Sequence, residues 1–342
     1  MVREQLLGRQ LCPCRFMIIQ IGGVISMSKM KRVFKKLDLS RRDKHGYSLR
    51  QNLEGYSFIS LFVIGFMAFT VIPIGTSLVL SFTKYDILSP PQFIGLKNYI
   101  QMFTGDKQFW VSFSVTLFYV VVSVPLRLAF ALGVAMLLQK TTRLTTFYRA
   151  AYYLPSIIGS SIAISVVWRQ MFGSDGMLNS LINSIFGTNI EISWIGGEKT
   201  AIWTLIILAV WQYGSSMLIF LSGLKQIPKE LYEAAEIDGA TRVHSFFRIT
   251  IPMLTPVIFF NMIMQLIQGF MTFTQSYVIT QGMPMDKTLF ITVYVYRNSF
   301  TYYKMGYGCA IAWFLLMFMA VITALLFKSS RNWVFYQAEG GD

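Results

Sequence analysis

Six long apolar stretches separated by short polar segments are the dominant pattern along this chain. A helix needs about 20 mostly apolar residues to cross the hydrocarbon core of a bilayer. The stretches that reach or approach that length are residues 58–82, 111–138, 152–168, 201–223, 256–280 and 309–327. The pattern therefore predicts an all-α, polytopic membrane protein with six transmembrane helices.

The segments outside these helices define three further parts. Residues 1–57 form a basic N-terminal region, residues 224–255 form a polar loop between the fourth and fifth helices, and residues 328–342 form a tail. Because Met27 opens a second start-like sequence, we expect residues 1–26 to be either an overlong start assignment or a terminal tail.

Lysine and arginine residues predict the orientation, because positively charged segments stay on the cytoplasmic side of a membrane. The N-terminal region, the loops at 139–150 and 224–255 and the segment after 327 hold 12, 3, 4 and 2 of them, which is 21 of the 30. The three loops on the opposite side hold 3, 2 and 3, which is 8. Both termini and the 224–255 loop are therefore expected in the cytoplasm.

The composition adds one point, which concerns the positive charge. Hydrophobic residues make up 54% of the chain, and its formal net charge is +14. Such a charge can indicate nucleic-acid binding. Here, however, a large share of it lies in the juxtamembrane segment 29–44, which suits anionic lipid headgroups. Membrane lipid is therefore an expected partner, and nucleic acid is not.

The sequence lacks a catalytic or metal-binding constellation. It has two histidines, in separate predicted cytoplasmic segments, and its three cysteines give no disulfide framework. GGEKT (196–200) lacks the glycine spacing of a phosphate-binding loop. All 16 acidic residues lie outside the predicted helices, whereas ion-coupled carriers usually keep ionisable groups at mid-membrane. We therefore expect no enzyme activity, metal or cofactor in this chain, and transport energised by a partner.

The 224–255 loop contains a charged segment with helical character, LYEAAEIDGATRVHSFFRITIP (231–252). Pro228 suits the start of a helix, where its missing N–H would have no partner in any case. The run 229–238 is rich in helix formers, and Gly239 suits a left-handed residue just after the helix end. The sequence therefore predicts a short helix that stops at this glycine.

A second helix is expected to follow the glycine. Thr241 is a suitable N-cap, and Pro252 is expected to end this helix before the fifth transmembrane helix. The result is a helix–glycine–helix elbow in the cytoplasm. Its Ala234 and Ala235 have almost no bulk, so another protein could approach closely, although a solvated loop without a partner is the alternative.

The elbow resembles the EAA motif of ABC-importer permeases, which reads Glu-Ala-Ala, three residues, Gly, nine residues and Ile-x-Leu-Pro. The residues that match at this spacing are Glu233, Ala234, Ala235, Gly239, Ile249 and Pro252. Ile251 replaces the usual leucine. The similarity covers roughly residues 57–336. FIGLKNY (93–99), YYLPSIIGSSIAISVVWRQMF (152–172) and GMLN (176–179) look like landmarks of the sugar-importing, MalF/UgpA-like branch.

This resemblance implies a type I ABC importer permease fold in a bacterial inner membrane, together with a set of partners. Such permeases pair with a second, related permease as a heterodimer. They receive a sugar or oligosaccharide from an extracellular solute-binding protein, and two ATPase subunits bind the ATP and Mg. The resemblance also implies that the elbow sits in a cleft of an ATPase. Glu233 would pair there with a basic group, Ala234 and Ala235 would allow close seating, and Gly239 would permit the turn.

The fifth predicted helix carries a polar stripe. At 100° per residue, six polar side chains fall within one 100° arc, namely Asn261, Gln265, Gln268, Thr272, Gln275 and Ser276. Amides both donate and accept hydrogen bonds, which suits sugar hydroxyls. Phe273, beside Gly269, offers a ring for stacking, and the fourth helix adds Gln212 and Tyr213. Such groups can also join neighbouring helices, but we interpret them as the lining of a substrate pathway.

Arg127 is the one charged residue inside a predicted helix. It lies eleven residues from the predicted cytoplasmic end, about 16 Å along a helix, which is a long reach for snorkelling. Its partner is expected to be the second permease, a carbonyl at a helix end or an anionic substrate. A structural role is the simpler interpretation, and a position facing the pore would favour an acidic sugar.

Two other functions stay open at this point. One is an ABC permease for a solute that is not a sugar, such as glycerol phosphate or a polyol. The other is a secondary carrier or channel, which the missing intramembrane carboxylates and the elbow argue against.

Overall fold

The computed structural model describes residues 49–139 and 144–335. The juxtamembrane basic segment, residues 1–26 and residues 336–342 of the C-terminal tail lie outside the described residues. By its internal contacts the chain divides into two compact units, the first up to Ile74 and the second from Gly75 onward.

The described part of the first unit is helical. Helix α1 (Leu49–Phe66) continues through a five-residue π-helical segment, Met67–Val71, into α2 (Ile72–Ser81). The helical run Gly55–Ser81 is long and apolar enough to cross a membrane. Nearly all of its side chains within the first unit are exposed or only partly buried, as expected for an apolar helix that lipid would surround.

The described part of the second unit consists of helices and one small antiparallel strand pair. Strands β1 (Thr83–Lys84) and β2 (Gln92–Phe93) pair Thr83 with Phe93 and Lys84 with Gln92. The α-helices that follow are α3 (Lys97–Thr104), α4 (Lys107–Leu137), α5 (Thr145–Ile158), α6 (Ile162–Met171), α7 (Met177–Phe186), α8 (Ala201–Trp211), α9 (Gly214–Leu224), α10 (Lys229–Ile237), α11 (Arg242–Ser245), α12 (Ile251–Phe270), α13 (Ile291–Tyr296) and α14 (Met305–Trp333). Three further π-helical segments are Phe246–Thr250, Ser276–Thr280 and Arg297–Thr301.

Six membrane-crossing segments agree with the predicted number, but two of them are bent. Among the described residues, four helices are individually long and apolar enough, namely Gly55–Ser81, Lys107–Leu137, Arg242–Phe270 and Met305–Trp333. The number rises to six if two bent pairs each count as one span. These pairs are α5 with α6, bent by 94°, and α8 with α9, bent by 42°. The prediction of a continuous third helix over 152–168 is therefore wrong.

Two other helix limits also differ from the prediction. The fifth helix ends at Phe270 instead of continuing to residue 280. The sixth begins at Met305, four residues before the predicted start, and continues to Trp333. Charged residues at a helix end, here Lys328 and Arg331, do not stop helix formation, so the sixth helix extends beyond its apolar stretch. The fifth helix ends early at a break whose Thr272 carbonyl is paired with the distant Thr292 hydroxyl.

The prediction that Pro252 ends a helix is also wrong. Proline lacks an N–H and its ring collides with the carbonyl four residues earlier, so a helix that continues through it must adjust. Here the preceding turn widens to π-helical geometry, and Ile251 N–H donates to the carbonyl of Phe246, five residues back. The same arrangement precedes Pro73, where Ile72 N–H donates to the carbonyl of Met67.

Helix α4 is central to the packing of the second unit, because α8, α9 and α12 all lie against it. Two buried clusters surround it. The first includes Phe109, Tyr119 and Leu205. The second includes Met217 and Leu254 and lies on the side of the elbow.

A hydrogen-bonded carboxylate fixes the start of α4. One oxygen of Asp106 accepts from the N–H groups of Gln108 and Phe109, both at 3.0 Å, as an N-cap does. Its other oxygen accepts from the hydroxyls of Tyr294, at 2.6 Å, and Tyr307. Burial and the neighbouring Asp106 raise the pKa of Tyr294, so this hydroxyl stays a donor. One side chain thus joins α4, α13 and α14.

The contact between α9 and α5 generates a prediction. A Cβ added at Gly214 would lie 2.5 Å from the Tyr152 carbonyl oxygen and 2.7 Å from the Tyr153 Cα, both main-chain atoms. Gly214→Ala is therefore expected to lower the free energy of unfolding by about 1–3 kcal/mol through overpacking, measured as a lower thermal transition in detergent. Gly133→Ala is the matched control, since a Cβ there meets nothing within 4 Å. Equal transitions for both variants would contradict the prediction.

Candidate functional site

A cavity of about 520 Å³ lies where three of the membrane-crossing segments are interrupted. Of the 18 described residues that line it, 11 carry a hydroxyl or amide side chain, one is a cation and none is a carboxylate. The lining residues are Tyr119, Ser123, Val124, Arg127, Ser156, Ser160, Ala209, Gln212, Ser215, Gln265, Ile267, Gln268, Gly269, Met271, Thr272, Phe273, Thr274 and Gln275.

The first two interruptions meet at Gln212. Its main-chain carbonyl accepts hydrogen bonds from the Ser156 hydroxyl, at 2.8 Å, and from the Arg127 guanidinium, at 2.5 Å. Its side-chain amide donates to the carbonyl of Gly159, at 3.2 Å. A membrane core supplies no water to pair with the carbonyls of a broken helix, so neighbouring side chains must do so.

The close approach of these two segments depends on a glycine. A Cβ at Gly159 would lie 2.5 Å from the Gln212 Cγ and 2.5 Å from the Pro155 carbonyl oxygen. Any larger residue would push Gln212 away. Gly159 therefore permits both the bend and the amide–carbonyl hydrogen bond across it.

The third interruption follows α12. The chain leaves the helix at Met271, and the carbonyl of Thr272 accepts a hydrogen bond from the Thr292 hydroxyl at 2.6 Å. The next helical residues begin at Thr274. The carbonyl that the break leaves unpaired thus finds its donor in a hydroxyl twenty residues further along the chain. The local sequence pattern does not reveal this partner.

Eight of the ten predicted pathway residues line this one cavity. They are Arg127, Gln212, Gln265, Gln268, Gly269, Thr272, Phe273 and Gln275. The structure therefore brings them together, while their role in transport stays a prediction. The helical projection behind the stripe is wrong beyond Phe270, because the helix ends there. Ser276 is fully buried, and its hydroxyl donates to the Thr288 carbonyl at 2.7 Å.

Asn261 and Tyr213 are not among the lining residues. Asn261 is fully buried, and neither atom of its amide group has a hydrogen-bond partner among the described residues. The ring of Tyr213 packs edge-on against Phe130, with centroids 4.8 Å apart, beside an apolar surface groove. The bend after Trp211 turns Tyr213 away from the cavity that the adjacent Gln212 faces.

Several hydroxyls of the cavity wall were not predicted from the sequence, including Ser123, Ser156 and Ser160. Ser156 and Ser160 flank the bend at Gly159, in the middle of the third apolar stretch. The run Gly-Ser-Ser there was a usable signal, because small polar residues in a membrane segment often accompany an interruption.

The glycine turn of the elbow has the predicted geometry. Gly239 follows α10 with a φ of +77°. Its N–H donates to Glu236, and the N–H of Ala240 donates to Ala235, which together form the Schellman motif of a helix end. Thr241 caps α11 by accepting from the N–H of His244 at 3.3 Å. Glycine suits this position because a positive φ costs it little, whereas it strains most other residues.

The predicted coupling residues fall into two groups. Glu233, Ala234 and Gly239 are exposed, whereas Ile249 and Pro252 are partly buried where the elbow joins the membrane helices. Ala235 is also partly buried. The Tyr232 hydroxyl lies 2.9 Å from that of Thr250, so the two arms of the elbow are joined. An exposed face held on a fixed support is suited to contact another protein.

The fold and the cavity define a polytopic helical membrane protein of the transport class. Residues 128–334 match the family described as binding-protein-dependent transport system inner membrane component, and the chain belongs to this family. It is 51% identical over 299 residues to the probable ABC transporter permease YesP of Bacillus subtilis (strain 168), covering 86% of this chain and 96% of the relative. It is 33% identical over 292 residues to the arabinooligosaccharide permease AraP of the same organism, covering 83% and 90%.

The fold is also similar to that of a solved transporter. A chain of a bacterial alginate ABC transporter, solved with a periplasmic protein that holds an alginate pentasaccharide, superimposes with a TM-score of 0.72. The identity is 20%, and the match covers 83% of this chain and 96% of the other. At this identity the likeness concerns the fold.

A buried hydrogen bond between the cavity-lining Gln265 and Ser216 behind it yields a prediction. The Gln265 amide donates to the Ser216 hydroxyl at 2.9 Å, and both side chains are buried. In a double-mutant cycle of Gln265→Leu and Ser216→Ala, we expect a coupling energy of about 0.6–1.7 kcal/mol, as for hydrogen bonds between membrane helices. Thermal unfolding of the four proteins in detergent measures it, and additive effects would contradict the bond.

Proposed function

We propose that this chain forms half of the translocation pathway of an ATP-driven ABC importer that takes up a sugar or oligosaccharide. The observation that carries the proposal is the cavity at the three interrupted helices, where amides and hydroxyls converge inside an apolar protein. Such groups match saccharide hydroxyls, which need both donors and acceptors. The aromatic ring of Phe273 in the same wall offers a stacking surface.

The family and its relatives support a saccharide as the substrate. The family description names dependence on a binding protein, and AraP is named for arabinooligosaccharides. This favours sugar import over the two alternatives, a permease for glycerol phosphate or a polyol and a secondary carrier or channel.

The proposed assembly contains several other subunits. A second, related permease completes the pathway as a heterodimer, an extracellular solute-binding protein delivers the sugar, and two ABC ATPases bind ATP and Mg. This chain has no ATPase site or cofactor of its own in this scheme. Both termini and the elbow lie in the cytoplasm, consistent with the distribution of Lys and Arg.

The elbow is the proposed contact with an ATPase subunit. Glu233 pairs with a basic group, Ala234 and Ala235 allow close seating, and Gly239 permits the turn. Ile249 and Pro252 join the elbow to α12, whose far end supplies Gln265 and Gln268 to the cavity. Movement of the ATPases on ATP binding would thus reach the pathway through a continuous piece of chain.

A bulky residue at the elbow tests this contact. Ala234→Trp is expected to reduce recovery of the ATPase with the permease, and ATP-dependent uptake, by about tenfold, since overpacking costs about 1–3 kcal/mol. Co-purification and transport in proteoliposomes measure both. Ala320→Trp, also at an exposed alanine but on α14, is the control and should keep both normal. Full ATPase recovery with Ala234→Trp would refute the contact.

The cavity is tested by replacing one amide side chain with an apolar one of similar size. Gln268 lines the cavity and is exposed there, so Gln268→Leu removes hydrogen-bonding capacity without a buried partner being stranded. We expect uptake of the transported saccharide to fall about tenfold, the effect of roughly 1.4 kcal/mol, while the complex assembles normally. Met264→Leu, one turn earlier on α12 and outside the cavity lining, is the control. Unchanged uptake in the Gln268 variant would remove this residue from the pathway.

A further inference from the structure

We propose that the cavity is built for a saccharide that carries a carboxylate, and that Arg127 binds this acidic group. This inference rests on the proposed function, since it names the class of sugar that the same cavity accepts. It depends on where the arginine lies, what it is bonded to, and what surrounds it.

Arg127 lies deep within the membrane-crossing helix α4. It is 20 residues from the start of the helix at Lys107 and 10 from its end at Leu137, which correspond to about 30 Å and 15 Å along the axis. Its side chain lines the cavity. The guanidinium therefore faces the cavity at a depth in the membrane where water and counter-ions are scarce.

Among the described residues, no carboxylate compensates the charge of Arg127. Its Nη2 group donates to the Gln212 carbonyl, and its Nε is buried without a partner among the described residues. A carbonyl is neutral, so it satisfies an N–H without cancelling the charge. In the described part of the chain, no membrane-crossing segment contains an Asp or Glu, and a bare cation at such depth is costly.

A carboxylate in the cavity would supply the missing charge. The planar guanidinium can offer two parallel N–H groups to a carboxylate, and such charge-assisted bonds are stronger than neutral ones. The walls around it carry hydroxyls and amides, among them Ser160, Gln268 and Thr272, which match the remaining hydroxyls of a sugar. A neutral sugar would occupy the same space and leave the charge unpaired.

The competing role for Arg127 is purely structural. In that case it would only hold the interrupted helix by its bond to the Gln212 carbonyl. Ser156 donates to the same carbonyl and carries no charge. Substituting Ser156 removes a hydrogen bond to the Gln212 carbonyl alone, whereas substituting Arg127 removes such a bond and the positive charge. Comparing the two variants therefore separates the structural role from the role of the charge.

The experiment uses the complete transporter with its binding protein in proteoliposomes. ATP-dependent uptake is measured for a labelled hexuronic acid disaccharide and for its carboxyl methyl ester, which has nearly the same shape and no charge. Three variants, Arg127→Gln, Ser156→Ala and Arg169→Gln, are each compared with the unaltered complex for each substrate. Arg169 is exposed, lies at the end of α6 and does not line the cavity, so it controls for the loss of a positive charge.

The unaltered complex should import the acid in preference to the ester. Arg127→Gln should lower uptake of the acid by at least about tenfold, the usual size of a lost charge-assisted bond, and leave any ester uptake within about twofold. Ser156→Ala should affect both substrates to the same degree, and Arg169→Gln neither.

Two results would overturn the inference and leave the proposed function in place. One is import of the ester but not the acid by the unaltered complex. The other is an equal loss for both substrates in Arg127→Gln, which would assign this residue to structure alone. If the unaltered complex imports neither these compounds nor any neutral saccharide, the proposed sugar import fails as well.

Discussion

An interrupted helix inside a membrane must find hydrogen-bond partners within the protein, and the centre of this chain is organised by that requirement. The main-chain carbonyl of Gln212 accepts hydrogen bonds from Arg127 on α4 and Ser156 on α5. The side-chain amide of Gln212 donates to the carbonyl of Gly159. Three segments are thereby fixed to one another at a single point. The side chains that bond to the broken backbone, Arg127, Ser156 and Gln212, have further donors or acceptors that remain available. The helix breaks therefore also account for the polar character of the cavity.

The cavity and the elbow are joined by close packing. The second buried cluster contains Tyr213, next to Gln212, together with Met217 and Leu254, and Tyr232 and Ile249 of the elbow region pack against it. Protein interiors are dense and poorly compressible, so a displacement at one end of such a cluster is carried to the other. This cluster therefore provides a mechanical route between the exposed face of α10 and the break at Gln212.

The sequence alone predicted much of this architecture, for identifiable reasons. Membrane helices need long apolar stretches and helix ends need particular residues, so the six segments, Gly239 and the Thr241 cap could be located in advance. The Gly-Ser-Ser run signals a break near Gly159, but not that Gln212 completes it. The end of α12 at Phe270 could not be located in advance, because Thr292, which is distant in sequence, completes it. The polar stripe identified residues that meet in one cavity, although the single helix used to derive it is interrupted.

The π-helical turn before Pro252 sets the rotational phase of the fifth membrane helix. A π turn holds one residue more than an α turn, so it shifts everything after it by one position, about 100° around the axis. The direction in which Gln265 and Gln268 point, relative to the exposed face of α10, is therefore determined by one extra residue between Phe246 and Thr250. Proline usually breaks helices, but here the π turn that accommodates it sets the rotation of α12 relative to the elbow.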